Sequence, residues 1–80
     1  MLRLSAHAQT VIEARCIQEA WLSEALAHPD WTESDPKDRD IIRAFKRIEG
    51  FGGRILRVAY KPVGSDILIV TAFFDRGARQ

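Results

Sequence analysis

The sequence predicts an α+β domain: a short strand, a two-helix hairpin, then an antiparallel meander of about four strands with both helices on one face. Three observations predict it. Apolar residues recur at helical spacing through the first third of the chain. Two runs rich in β-branched and aromatic residues, 54–61 and 67–75, close the chain around a Pro/Gly turn. Pro29-Asp30 separates the two regimes. Eighty residues, 46% of them hydrophobic, provide for one domain (residues 1–80). A chain this short buries only about 60% of its unfolded surface, so the core is small.

Leu2-Arg3-Leu4-Ser5 alternates apolar and polar and fits a short strand. Ser5 is placed to cap a helix, its hydroxyl accepting from an orphan backbone N–H of the first turn. Behind it Ala8, Val11, Ile12 and Arg15 recur at helical spacing, and Ile17, Trp21, Leu22, Ala25 and Leu26 form a second stripe that Pro29 ends. Trp31-Thr32-Glu33-Ser34 alternates as a strand would, and residues 35–40 are a charged loop. Residues 41–48 satisfy two patterns. As a helix they would start from an Asp35 cap with Pro36 in the first turn. As a strand they put Ile42, Ala44 and Ile48 on one face and Arg43, Phe45 and Arg47 on the other. Residues 50–53 (Gly-Phe-Gly-Gly) and 62–66 read as turns around the strand 54–61. The run 67–74 is apolar at nearly every position, so both its faces call for cover. Two helices cover one face only. The other needs a partner protein, a second copy or a folded-back segment.

The net charge of +1 conceals an asymmetry. Residues 1–42 hold four basic against eight acidic side chains, and residues 43–80 hold eight basic against three acidic. Binding nucleic acid by bulk charge is therefore disfavoured, whereas an anionic partner at the sheet is not. Cys16 is the single cysteine, which precludes an intrachain disulfide and fits a reducing cytoplasm. One Cys and two separated His residues offer no metal-ligand spacing, and no cofactor motif is present: Gly50-x-Gly52-Gly53 lacks the following helix and Lys-Ser/Thr pair of a phosphate loop. The opening residues lack a signal-peptide core, and the longest apolar run is too short to span a bilayer. Cys16 itself reads as a buried, inert thiol, and Trp21 and Trp31 as core and sheet-cover residues.

Several separated blocks carry a family resemblance. They are Ser5-x-His7-Ala8, Arg15-x-Ile17, Ala25-Leu26-x-x-Pro29-Asp30-Trp31, Lys46-Arg47-Ile48, Gly53-Arg54-Ile55-Leu56-Arg57-Val58 and Val70-Thr71-Ala72-Phe73-Phe74-Asp75-Arg76. Together they resemble a bacterial family that carries only a domain-of-unknown-function label, DUF4258, which in turn resembles the RelE/ParE/BrnT toxin-like fold. That pattern departs from this chain at two positions, with an Arg near Val11 and a Gly at Cys16. The resemblance favours the strand for residues 43–48. It implies a toxin component of a type II toxin–antitoxin pair, acting as a metal-independent ribonuclease on messenger RNA. It also implies an alternative, a non-catalytic protein-binding module of the same fold, as in ParE-like inhibitors. A small homodimer is the third reading. The implied partners are an antitoxin or a second copy on the uncovered sheet face, or RNA, and no membrane.

Metal-independent RNA cleavage needs a base for the 2′-hydroxyl, an acid for the leaving oxygen and cations for the developing charge. His7, Arg57 and Arg76 are the residues that would supply them. A plainer account exists for each: His7 as a helix-start residue, Arg57 paired with Asp75 or Glu13, and Arg76 as a solvated strand end. Arg43, Phe45 and Arg47 form a basic and aromatic stripe in the strand reading, of the kind that meets single-stranded RNA, and Lys46, Arg54 and Lys61 add to the basic half. The plainer account of this stripe is a solvated face whose cations pair with carboxylates.

Overall fold

In the computed structural model, residues 2–78 are described. The order is β1 (Leu2–Leu4), α1 (Ala6–Ala14), α2 (Glu19–Ala27), β2 (Trp31–Ser34), β3 (Ile42–Ile48), a 3-10 turn (Glu49–Phe51), β4 (Arg54–Val63) and β5 (Asp66–Phe74). The strands form one sheet in the order β1-β5-β4-β3-β2. β2 to β5 are the expected four-stranded antiparallel meander, but β1 joins it parallel to β5, so the sheet is mixed and has five strands. Residues 42–48 are a strand, paired on both sides, with Ile42, Ala44 and Ile48 alternating as the strand reading required. Asp35 caps no helix; its carboxylate accepts instead from the backbone N–H of Lys37 and Asp38 and folds the charged loop into a turn.

Both helices lie on one face. α1 packs against β5 and β1, and α2 against β3 and β4. The core between them is Ala8, Ile12, Ile17, Leu22 and Ala25 from the helical half, and Ile48, Leu56, Val58, Ile69 and Ala72 from the sheet. Ala8, Ala25 and Ala72 are wholly buried, and their size lets helix and strand approach closely around Leu56 and Ile69. Trp21, Phe51 and Phe74 close one end of this layer with ring centroids 4.9–5.7 Å apart.

Ser5 ties the two halves. Its hydroxyl accepts from the Ala8 N–H, capping α1, and donates to the Val70 carbonyl at 3.0 Å, while its own N–H reaches the Ile69 carbonyl. Val70 is the extra residue of a β-bulge, since Ala59 pairs with Thr71 and Tyr60 with Ile69. The carbonyl that the bulge frees from its ladder is thus met by the helix cap.

The turn expected over residues 62–66 is tighter than read. β4 runs through Pro62 to Val63, and a two-residue loop, Gly64-Ser65, joins it to β5. Gly64 has φ of 63°, the left-handed geometry this hairpin requires at its first central position. Proline is tolerated because β3 ends opposite Tyr60, leaving β4 paired on one side only beyond it.

α1 ends in a Schellman arrangement. The N–H of Ile17 bonds to the Ile12 carbonyl, that of Cys16 to Glu13, and Cys16 itself sits at φ of 55°. Ile12 and Ile17, both buried, make the accompanying apolar contact. Cys16 is exposed, not buried, because the left-handed residue of such a motif lies outside the helix. The left-handed geometry costs an L-residue about 1–2 kcal/mol, which a glycine, the residue the resemblance leads one to expect here, would not incur. Cys16→Gly should therefore stabilise the domain by about 0.5–1 kcal/mol, a melting point higher by roughly 2–8 °C. Cys16→Val should lower it, and equal melting points for the two variants would contradict the assignment.

Candidate functional site

Strand alternation puts a second set of side chains on the face the helices leave open. β3 presents Arg43, Phe45 and Arg47 there; β4 presents Ile55, Arg57, Ala59 and Lys61; β5 presents Leu68, Thr71 and Phe73. One cross-strand row runs through four strands in register: Trp31 opposite Phe45, Phe45 opposite Arg57, Arg57 opposite Phe73. Trp31 stacks on Phe45 with centroids 4.6 Å apart and planes 5° from parallel. The Arg57 guanidinium lies 5.0 Å from the Phe73 ring centre and 6.0 Å from that of Phe45. Phe45 is only 3% exposed although no helix covers it. The open face buries its own centre by laying long side chains across it.

Three arginines of this face are held by carboxylates. Arg57 donates to Asp75 at 3.1 Å, the pairing that was the plainer account of this residue, and Asp75 also accepts from the Gly77 N–H. Arg43 donates to Asp35 at 3.1 Å. Arg3 meets Asp66 at 3.5 Å. Among the described residues Arg47 and Lys61 make no ion pair, and they stand on opposite sides of the row along the strand direction, about 20 Å apart at the usual rise per residue.

Two backbone N–H donors, Lys37 first, hold the Asp35 carboxyl below its usual 3.8, with the Arg43 charge adding to them against a partial burial that acts the other way. A carboxyl lowered on folding binds its proton less readily folded than unfolded. Its contribution is thus complete above the ordinary carboxylate range and lost as pH falls through the lowered folded value. Asp35→Asn should reduce stability near neutral pH, and the difference from wild type should shrink in urea titrations as pH falls through the lowered folded value. A difference that persisted in acid would contradict the charge-based account.

The remaining expected site residues scatter. His7 is exposed on α1, on the helix side of the sheet, whereas Arg57 lies on the open face; the sheet separates them. Arg76 is exposed in the turn after β5. Lys46 points to the helix side, bridging Glu24 at 3.9 Å and Asp30 at 3.7 Å. Arg54 is exposed at the start of β4, its guanidinium 4.8 Å from the centre of the Phe51 ring. Of the six residues expected to meet nucleic acid, Arg43, Phe45, Arg47 and Lys61 share the open face, with Phe45 buried and Arg43 neutralised. An open cleft of about 810 Å³ borders the end of β3, lined by Trp21, Trp31, Lys46, Arg47, Glu49 and Ile55, and so carries charges of both signs. No group of three metal-ligating side chains occurs among the described residues. No helix among them is long and apolar enough to cross a membrane.

Fold and face together define a small α+β domain with one helix-covered and one self-covered sheet face. The chain belongs to the DUF4258 family, a domain of unknown function, whose model matches residues 4–74. No curated protein and no solved structure matches it.

Proposed function

We propose that this protein is a non-catalytic protein-binding module, the second of the roles implied by its toxin-like resemblance, and that the helix-free face is its docking surface. The observation that carries this reading is the row Trp31–Phe45–Arg57–Phe73, ordered before any partner arrives and with its central charge already neutralised. Aromatic and arginine side chains fixed in advance lose little entropy on docking and are the residue types that dominate interface energies. The free cations Arg47 and Lys61 bracket the apolar strip, so the complementary partner is a protein with an apolar patch flanked by carboxylates. The molecule measures 34 × 25 × 20 Å, and its broadest face is on the scale of one side of a standard interface, about 800 Å². A ribonuclease would need His7 and Arg57 at one phosphate, and they lie on opposite sides of the sheet.

Affinity capture from the source cell tests this. A partner retained by wild type and by His7→Ala should be lost with Phe73→Asp and with the double reversal Arg47→Glu/Lys61→Glu, while circular dichroism shows all variants folded. Phe74 is the contrasting neighbour: it packs against Trp21 and Phe51 in the core layer, so Phe74→Asp should unfold the domain. Capture indifferent to Phe73→Asp would reject the open face. RNA cleavage by the purified protein that disappears in His7→Ala would restore the ribonuclease reading.

A further inference from the structure

A second surface lies at the opposite edge of the sheet from β2 and is independent of the open face. Among the described residues β1 is an outer strand, with β5 on one side and no strand on the other. The Ser5 N–H bonds to Ile69 of β5, and strand alternation then directs the backbone N–H and C=O of Leu2 and Leu4 away from the sheet. The same two residues carry large exposed apolar side chains, 36% and 40% accessible. They form one wall of a groove of about 330 Å³ whose floor is Ile12, Ile17 and Leu22 and whose rim is Gln9, Glu13 and Glu19. Glu13 accepts a long hydrogen bond from Gln9, and among the described residues Glu19 makes no ion pair and no cation lines the groove.

We infer that β1 and this groove receive an extended segment of another protein, added as a sixth strand, with apolar residues at alternate positions and Lys or Arg at its flanks. The free edge supplies main-chain hydrogen bonds, the groove takes the alternate apolar side chains, and the carboxylates on the rim select the basic flanks. A second copy fits less well. Antiparallel self-pairing that bonds Leu2 to Leu4 of the other copy sets Arg3 directly against its counterpart, and brings two acidic rims together.

Selection of random twelve-residue peptides on the full chain tests the inference. Enriched peptides should alternate apolar residues and carry net positive charge. Their affinity, read by fluorescence anisotropy, should fall at least tenfold in Glu13→Lys/Glu19→Lys and stay unchanged in Lys37→Glu, a charge reversal in the distant loop. The Leu4 amide should become protected from hydrogen exchange when the peptide is bound. Enrichment of acidic or non-alternating peptides, affinity unmoved by the double reversal, or an unprotected Leu4 amide would each overturn it. So would a dimer in sedimentation without peptide that Leu4→Arg dissociates, since the occupant would then be a second copy.

Discussion

Leu56→Ala should cost about 3 kcal/mol of folding free energy, within a range of roughly 2–5 for burying a cavity of this kind. Leu56 is fully buried at the centre of the sheet, opposite Lys46 on one side and Phe74 on the other, and belongs to the cluster that joins both helices to the sheet. Its neighbours belong to paired strands and packed helices, so collapse around the lost side chain is restricted and the larger part of the cavity term remains. A domain of this length has a total stability of about 4–12 kcal/mol, so the variant gives up a large share of it. Urea unfolding should show a lower midpoint with an unchanged slope. Ile55→Ala, one position along and on the open face where the side chain is half-buried, should cost less than half as much. Equal costs would mean that the open face is as closed as the core, against the assignment of faces.

The parts of the fold visible in sequence were those set by short-range chemistry. Ser5 as a cap, the helical stripes and the two final strands follow from hydrogen-bonding capacity and period, and the structure has them. Residues 41–48 satisfied two periods because Ile41, Ile42, Phe45 and Ile48 suit a helix while Ile42, Ala44 and Ile48 suit a strand. Pairing on both sides, with Trp31 stacked on Phe45, decides for the strand, and pairing is a long-range event. The parallel attachment of β1 was beyond reach for the same reason, since three residues carry no register of their own. Cys16 hid its turn: a glycine there would have announced the left-handed residue, and a cysteine does not.

The site was legible by face but not by contact. Alternation put Arg43, Phe45 and Arg47 together, and the same rule sends Lys46 to the helix side, where Glu24 and Asp30 take its charge. The row Trp31–Phe45–Arg57–Phe73 depends on the registers of three strand pairs at once, each fixed by a turn or loop of different length. A one-residue slip in any of them would dissolve it. Asp35 suits a helix cap by sequence alone, whereas its actual work, holding Arg43 down on the sheet, depends on the following segment being a strand.

Arg57→Ala should lower stability by about 2 kcal/mol. The substitution removes a charge-assisted hydrogen bond and two ring contacts, and leaves Asp75 about four-fifths buried without its cation. The asymmetry between removing one partner and removing both gives the sharper test. The Arg57 Nε–H is buried without an acceptor, so the wild-type pair already carries a desolvation cost of its own. Replacing both partners, as in Arg57→Met with Asp75→Asn, should therefore recover more than half of the loss: methionine keeps the apolar stem against Phe45 and Phe73, and no charge is stranded. Arg57→Lys should fall between, since an ammonium keeps the charge but not the flat contact with Phe73. Four urea titrations, of wild type, the two single variants at Arg57 and the double variant, measure this directly. If Arg57→Ala and the double variant lose the same amount, neither the stranded Asp75 charge nor the lost stem contact accounts for the cost, and this account of the row fails. If the double variant regains stability as expected, Asp75 is what makes Arg57 indispensable in the isolated domain, and the order of the open face rests on one carboxylate beyond the end of β5.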